Sequence, residues 1–295
     1  MKPSNALAHK GAAIEEWVDI HFYRPLGIRL ARALAGTRVS ADEVTLWALV
    51  AGLIGGQLFL YSDRRLNALG FVVWVISDVF DSADGQLARL RGASTRFGRA
   101  LDGISDSLRF AYLYLCLLLR LLAAGAGWPA VALVVVAAAS HSLQATIVDF
   151  IRSAYLWAGF GEGTVDLPED VAAPTAGRWL ARVSGRIYRD YVLRQAFVLP
   201  WSVRLVQLLR SRDWPATVRE EYRERQQRIL ALCPILGQNM RIALLAVVAV
   251  TGRPSIFLWT SAVLLNVVVA ALVAVHEWNA AALLASLHES DSAYV

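Results

Sequence analysis

Cysteine and charge are both scarce in this chain of 295 residues, and each scarcity excludes something. Two cysteines, Cys116 inside an apolar run and Cys233 just before another, supply neither a disulfide framework nor a cysteine-built zinc site. Any metal must therefore be held by oxygen or histidine. Only 18% of the residues are charged while 57% are hydrophobic, far from the balance of an ordinary soluble domain. Disorder is excluded as well, because ten Trp, ten Phe and nine Tyr are more aromatic residues than an unfolded segment carries. No repeat or low-complexity tract interrupts the chain. A cleavable signal sequence is also missing: residues 1–20 mix Lys, Glu and Asp without a central apolar block, so the amino terminus is expected to stay in the cytoplasm.

What the chain does have is long apolar runs. A crossing helix needs about 20 apolar residues, and six candidates stand out: Val44 to Tyr61, Leu66 to Val79, Leu101 to Leu122, Trp128 to Phe150, Ile242 to Val250 with its flanks, and Ile256 to Val275. The second and fifth are short, and the second continues into Asp78, Asp81 and Asp84, which lipid does not tolerate but a water-filled cavity does. The 29 Lys and Arg residues are unevenly placed. Six fall in residues 1–44, five in 89–109 and fourteen in 150–241, so 25 of 29 lie on one side if the six runs cross in order. That is the positive-inside asymmetry, and it argues against a nucleic-acid protein, whose cations would be interleaved with a folded core.

The sequence thus predicts an all-α polytopic membrane protein with six transmembrane helices, forming one membrane domain over residues 1–295. Residues 1–42 form an N-terminal interfacial segment, in which Glu15 to Leu34 read as an amphipathic helix on an anionic surface or, equally, as a helix packed on the bundle. Residues 151–240 form a cytoplasmic insert between helices four and five, a polar Gly- and Pro-containing loop followed by two or three Arg-rich interfacial helices. Residues near 92 and the carboxyl terminus, ending HESDSAYV, are placed inside, and Tyr61 to Leu66 outside. Gly52 and Gly56 read as a close helix-packing pair.

The chemistry is concentrated in residues 81–106, DSADGQLARLRGASTRFGRALDGISD. Asp81 and Asp84 are three apart and Asp102 and Asp106 four apart, so each pair shares one helix face. The short connection makes the two helices antiparallel neighbours with four carboxylates converging at the cytoplasmic end. Four such anions must take up protons or bind cations. All-oxygen shells suit hard divalent ions, and two of them form the usual clamp on a phosphate or pyrophosphate. Gly85, Ala88 and Gly98 on the same stripes let a bulky ligand approach the backbone, and Arg89 adds a contact for phosphate oxygens. A structural ion-pair network with Arg89, Arg91, Arg96 and Arg99 is the bland alternative. An intramembrane cation transporter is another, but the cluster lies at one end of its helices with AYLYLCLLL beyond it.

The spacing D-x2-D-G-x2-A-R-x8-G-x3-D-x3-D resembles the signature of the CDP-alcohol phosphotransferases, with Asp81, Asp84, Gly85, Ala88, Arg89, Gly98, Asp102 and Asp106 filling every fixed position. Outside it, SADEVT at residues 40–45 keeps Thr45 but has Ala41 and Asp42 where the family often has Pro and Asn. The resemblance implies a multi-pass integral membrane enzyme, commonly homodimeric, with its active site at the cytoplasmic face. It would transfer a phosphatidyl group from CDP-diacylglycerol to a small polar alcohol, with release of CMP; an aminoalcohol phosphotransferase acting on diacylglycerol is the alternative. By the same likeness Asp81, Asp84, Asp102 and Asp106 hold two divalent cations, Mg or Mn, Asp106 serves as the base, and Gly85, Ala88, Arg89 and Gly98 shape the nucleotide site. Arg109, three residues past Asp106 and buried deeper, needs an anionic partner, either Asp149 or a phosphorylated acceptor such as inositol phosphate or glycerol phosphate; with Arg152 these two complete the expected acceptor contacts.

Overall fold

The computed structural model describes residue 14 and residues 16–92, 96–171 and 179–292, and the regular elements among them are all helices. The amino-terminal stretch 1–13, the loop at 93–95 and the last residues of HESDSAYV, expectations for which were given above, lie outside the described residues. The described chain divides into two compact units, one of Met1–Ala138 with Gln238–Ala262, the other of Ala139–Gly237 with Val263–Val295.

In the first unit a π-helical turn, Asp19–Tyr23, leads into α1, Arg24–Ala35, which packs along α3, Arg64–Leu90. Helix α2, Ala41–Leu58, lies against both α3 and α4, Arg96–Ala123. The start of α2 is set locally: Ser40 accepts from the Glu43 amide at 3.2 Å while Glu43 accepts from the Ser40 amide at 2.6 Å, a reciprocal pair that satisfies two end amides. Those bonds hold the Glu43 carboxyl below its usual range. Asp63 caps α3 by a single bond, accepting from the Arg65 amide at 2.7 Å. Helices α9, Gln238–Thr251, and α10, Pro254–Trp259, complete this unit, with Gly252 in the left-handed region at φ 71° making the turn between them.

The core of this unit is aromatic and aliphatic, with Trp74, Phe59, Leu113, Leu117, Val248 and Phe257 fully buried. Two glycines bring α2 and α3 together: a Cβ on Gly70 would sit 2.8 Å from the Gly55 carbonyl oxygen and 2.9 Å from Leu58 Cβ. At the same end, Arg120 of α4 donates to the carbonyls of Phe59 and Gly252 and to the Asn67 side chain, whose amide in turn donates to Leu58 and Tyr61. A buried guanidinium thus satisfies helix-end carbonyls that would otherwise lack donors.

The second unit takes most of α5, Trp128–Phe160, then α6, Trp179–Val198, α7, Pro200–Ser211, and α8, Ala216–Leu230, and ends on α11, Leu265–Ser292. The insert therefore contains three helices among the described residues, preceded by a loop with a short turn at Pro168–Asp170. Glu277 of α11 accepts from the amides of Trp201 and Ser202 and from the Ser202 hydroxyl, a side-chain cap on the exposed amides that open α7. Asn266 joins Ser140 and Gln144, and His276 meets Gln226 at 2.9 Å.

Each of the six apolar runs lies mainly on helix, the first outlasting α2 by three residues, but among the described residues three helices are long and apolar enough to cross a membrane: Arg64–Leu90, Trp128–Phe160 and Pro254–Glu289. The short second run is extended by helix that continues through all three of its aspartates. The run Ile242 to Val250 remains short, within a helix of 14 residues. The expected interfacial segment is helical from Trp17 and packs its Gly27 against Ser82 of α3, where an added Cβ would lie 2.6 Å from the hydroxyl oxygen.

The glycine crossing predicts that Gly70→Val is destabilising, because the branched side chain must push α2 away from α3. Overpacking of this kind costs about 1–3 kcal/mol. Thermal unfolding of the detergent-solubilised protein should show the loss, and Leu69→Val, on the exposed face next door, should not.

Candidate active site

Helix α3 changes character along its length. Its first half is apolar, and its second half places Asp78, Asp81 and Asp84 at three-residue intervals, so that all three turn towards neighbouring helices. Helix α4 brings Asp102 and Asp106. Oxygens of Asp81, Asp84 and Asp102 lie within 4.8 Å of one another, a hard-oxygen donor set that fits a divalent cation and suits no soft metal. Asp84 is held by Thr45 of α2, whose hydroxyl donates to Oδ2 at 2.6 Å. That bond fixes one carboxylate oxygen of the triad residue.

Arg109 of α4 is the positive centre of this cluster. Its side chain is completely buried, Nη2 donates to Asp81 at 3.1 Å and also to Asp106, and Nη1 donates to Asp78 at 3.0 Å and to the Ser77 hydroxyl at 2.7 Å. Gln238 of α9 donates to the same Asp78 oxygen at 2.8 Å. Gly52 of α2 makes room: a Cβ there would run into the Arg109 Cδ and Cγ, so the absent side chain accommodates the guanidinium stem. Burial of a guanidinium is tolerated when carboxylates and further hydrogen bonds surround it, and this one has both.

The expected residues sort as follows. Asp81, Asp84 and Asp102 come together directly, and Asp106 joins them through Arg109. Arg89 folds back over Gly85, whose added Cβ would meet its Nη1 at 3.5 Å, so both lie on one stripe of α3; Ala88 is half-buried on the same helix and Gly98 half-buried on α4. Arg91 does not join an ion-pair network with the aspartates: it donates to the carbonyls of Leu34, Ala35, Thr37 and Val39 and so caps the end of α1. The side chains of Arg96 and Arg99 lie outside the described residues. Arg109 finds its anions in Asp78, Asp81 and Asp106. Asp149, one of the two partners the sequence offered for Arg109, accepts instead from the Tyr191 hydroxyl at 2.7 Å in the second unit, beside a cavity of about 90 Å³ that it lines with Asp166, Tyr188 and Gln195. Burial, reinforced by the Asp149 charge, pushes the Tyr191 phenol above its ordinary range, so it remains a donor. Arg152 lies half-buried one turn further along α5.

Three contributors were not read from the sequence. In the sequence Thr45 stands out only as a retained position, Asp78 only as a continuation of the second apolar run, and Gln238 not at all. The available signals were a polar residue opening an apolar helix at 238 and a third aspartate in phase with Asp81.

The Thr45 bond generates a direct expectation. Thr45→Val keeps the shape but leaves a buried carboxylate oxygen without its donor, at a cost of about 1–3 kcal/mol. Chemical denaturation of the purified protein should register that cost, while Thr45→Ser, which retains the hydroxyl, should stay near wild type.

Residues 30–164 match the CDP-alcohol phosphatidyltransferase family. Curated proteins similar to the chain include the phosphatidylinositol phosphate synthase of Mycobacteroides abscessus, 29% identical over 150 residues, which is 50% of this chain and 66% of that protein. Those of Mycobacterium bovis and Mycobacterium tuberculosis are each 38% identical over 79 residues, 27% of this chain and 36% of theirs. The chain thus spans from about a third to just under two thirds of the length of these relatives. The aspartates of α3 and α4, with Thr45 and Arg109, all fall inside the matched segment. Over residues 30–164, which hold this acid cluster, the chain is similar to the CDP-alcohol phosphatidyltransferase family.

Proposed function

We propose that this protein is a membrane phosphotransferase that moves a phosphatidyl group from CDP-diacylglycerol to a small phosphorylated alcohol of the inositol phosphate type and releases CMP. The observation that carries the reading is the convergence of Asp81, Asp84 and Asp102, within 4.8 Å, inside the family's eight-position signature. The name of the relatives, phosphatidylinositol phosphate synthase, supports the choice of acceptor.

Asp81, Asp84, Asp102 and Asp106 would hold two divalent cations, Mg or Mn. When bound, these supply positive charge opposite the donor's pyrophosphate and the departing CMP. The chain's own groups do the rest. Gly85, Ala88 and Gly98 leave the helix backbones open to the nucleotide, and Arg89, folded over Gly85, offers its guanidinium to phosphate oxygens. Asp106 takes the proton of the acceptor hydroxyl as its oxygen bonds to the phosphatidyl phosphorus. The bond from that phosphorus to the CMP oxygen breaks, and CMP leaves with the electron pair. The lipid chains stay in the bilayer beside six crossing helices, the site faces the cytoplasm, and the enzyme works as a homodimer.

The test is purified protein in lipid nanodiscs given CDP-diacylglycerol, Mg and a panel of inositol phosphate, glycerol phosphate, inositol and serine. CMP release with inositol phosphate is expected, stopped by a chelator and restored by Mn. Asp81, Asp84, Asp102 or Asp106 changed singly to Asn should lower the rate a hundredfold or more, roughly what the loss of several kcal/mol of charge stabilisation at the transition state produces. Turnover confined to serine, or to a CDP-aminoalcohol with diacylglycerol, would replace the acceptor assignment. For the topology, a cysteine at position 63, at the start of α3, should react with an impermeant maleimide from the non-cytoplasmic side.

A further inference from the structure

Arg109 has a second seat. In the structure its Nη2 bridges Asp81, a member of the carboxylate triad, and Asp106, the one signature aspartate outside that triad. The guanidinium therefore stands between two of the carboxylates that would hold the cations. Its Nη1 is anchored separately on Ser77 and Asp78 Oδ1. Both anchors are themselves fixed, Ser77 by donating to the Ala48 carbonyl at 2.6 Å and Asp78 Oδ1 by accepting from Gln238. Asp78 Oδ2, in a residue only 5% exposed, has no hydrogen-bond partner among the described residues. A buried carboxylate oxygen without a donor is costly, and a guanidinium, with its donors in a planar fork, can pair with both oxygens of one carboxylate.

We propose that Arg109 makes cation binding sequential: the first divalent ion takes Asp81, Asp84 and Asp102, and the second gains Asp106 only by driving Nη2 from Asp81 and Asp106 onto Asp78 Oδ2. This rests on the metal-dependent reading above and adds an order to it. Charge counting supports the order. Two divalent ions match the four signature carboxylates, and Arg109 paired with both oxygens of Asp78 closes the balance at zero. Without Asp78, a guanidinium displaced by the second ion would be left buried among cations. Asp78 is thus a positioning residue that acts through Arg109, and Gly52 leaves the stem free to make the shift.

The experiment is a Mn titration of the full-length protein in zwitterionic nanodiscs, with free Mn and Mn–Mn coupling followed by electron paramagnetic resonance. Wild type should bind one ion at a concentration at least about tenfold lower than the second, within the usual range of site-to-site coupling. Spin coupling should appear only with the second. Asp78→Asn, which removes the charge of the second seat, should weaken the second ion about tenfold further and leave the first unchanged. Arg109→Gln should bring the two affinities together, and Arg109→Lys should keep them apart. If the Arg109→Gln protein does not fold, Asp78→Asn decides. Two ions of equal affinity in wild type, or a second site indifferent to Asp78→Asn, would overturn the order while leaving the metal site standing. A first site unaffected by both Asp84→Asn and Asp102→Asn would instead overturn the metal site itself, and the order with it.

Discussion

Five carboxylates on two helices, Asp78, Asp81 and Asp84 facing Asp102 and Asp106, set the terms for everything around them. Like charges about 4 Å apart repel by about 4 kcal/mol even at an effective dielectric constant near 20, so a fold that gathers them must supply cations or donors in the same place. Arg109 is the protein's own cation, and its complete burial goes with glycine at 52 for its stem, a hydroxyl at Ser77 and an amide at Gln238 on its partner Asp78, while the Thr45 hydroxyl serves Asp84. None of these residues carries charge. They set where each charge sits.

The two buried arginines of α4 show what separates support from chemistry. Arg120, near the end of the helix, is met by the carbonyls of Phe59 and Gly252 and by the Asn67 side chain, all neutral dipoles belonging to helix ends. Its work is to close open helix ends. Arg109, three turns earlier, is met by carboxylates, and a carboxylate can exchange a guanidinium for a metal ion whereas a backbone carbonyl engaged in a helix end has little reason to. Helix α3 carries the same division, with glycine packing at Gly70 in its apolar half and the acid stripe in the other.

The spacing of Asp81, Asp84, Asp102 and Asp106 was legible in the sequence because helical periodicity alone decides which of them share a face. Helix positions were legible for the same reason: each apolar run lies mainly on helix. What joins the site across helices was not. The bonds from Thr45 to Asp84 and from Arg109 to Asp78 link residues 39 and 31 positions apart, and the bond from Gln238 to Asp78 spans 160. No local pattern encodes such pairs, since any buried aspartate accepts equally well from several donor types. Spanning length was less legible than helix position: among the described residues α3 is long and apolar enough to cross despite its aspartates, whereas the run at Ile242 to Val250 lies on a helix of only 14 residues. Of the Gly52 and Gly56 pair, read as helix packing, Gly56 lies against the α4 backbone, where an added Cβ would be 3.6 Å from Leu113 Cα, and Gly52 shelters an arginine of the same helix, while Gly55 meets the α3 backbone.

The matched family segment ends at residue 164, but the charge balance of the site does not. Gln238, from a helix that begins 74 residues later, donates to the oxygen of Asp78 that also anchors Arg109. Its neighbour Asn239 donates to Glu16 and Asp19 ahead of α1. The first turn of α9 therefore fastens together two acidic groups, one on each side of it, and both belong to the same compact unit. Because an amide donor steadies a carboxylate without neutralising it, Gln238 keeps Asp78 in place while preserving the charge that Arg109 requires. Replacing it with a cation would give Asp78 a competing partner and weaken its hold on Arg109. A neutral donor at the start of an otherwise apolar helix is what this arrangement needs, and it ties the late part of the chain to the chemistry of the early part.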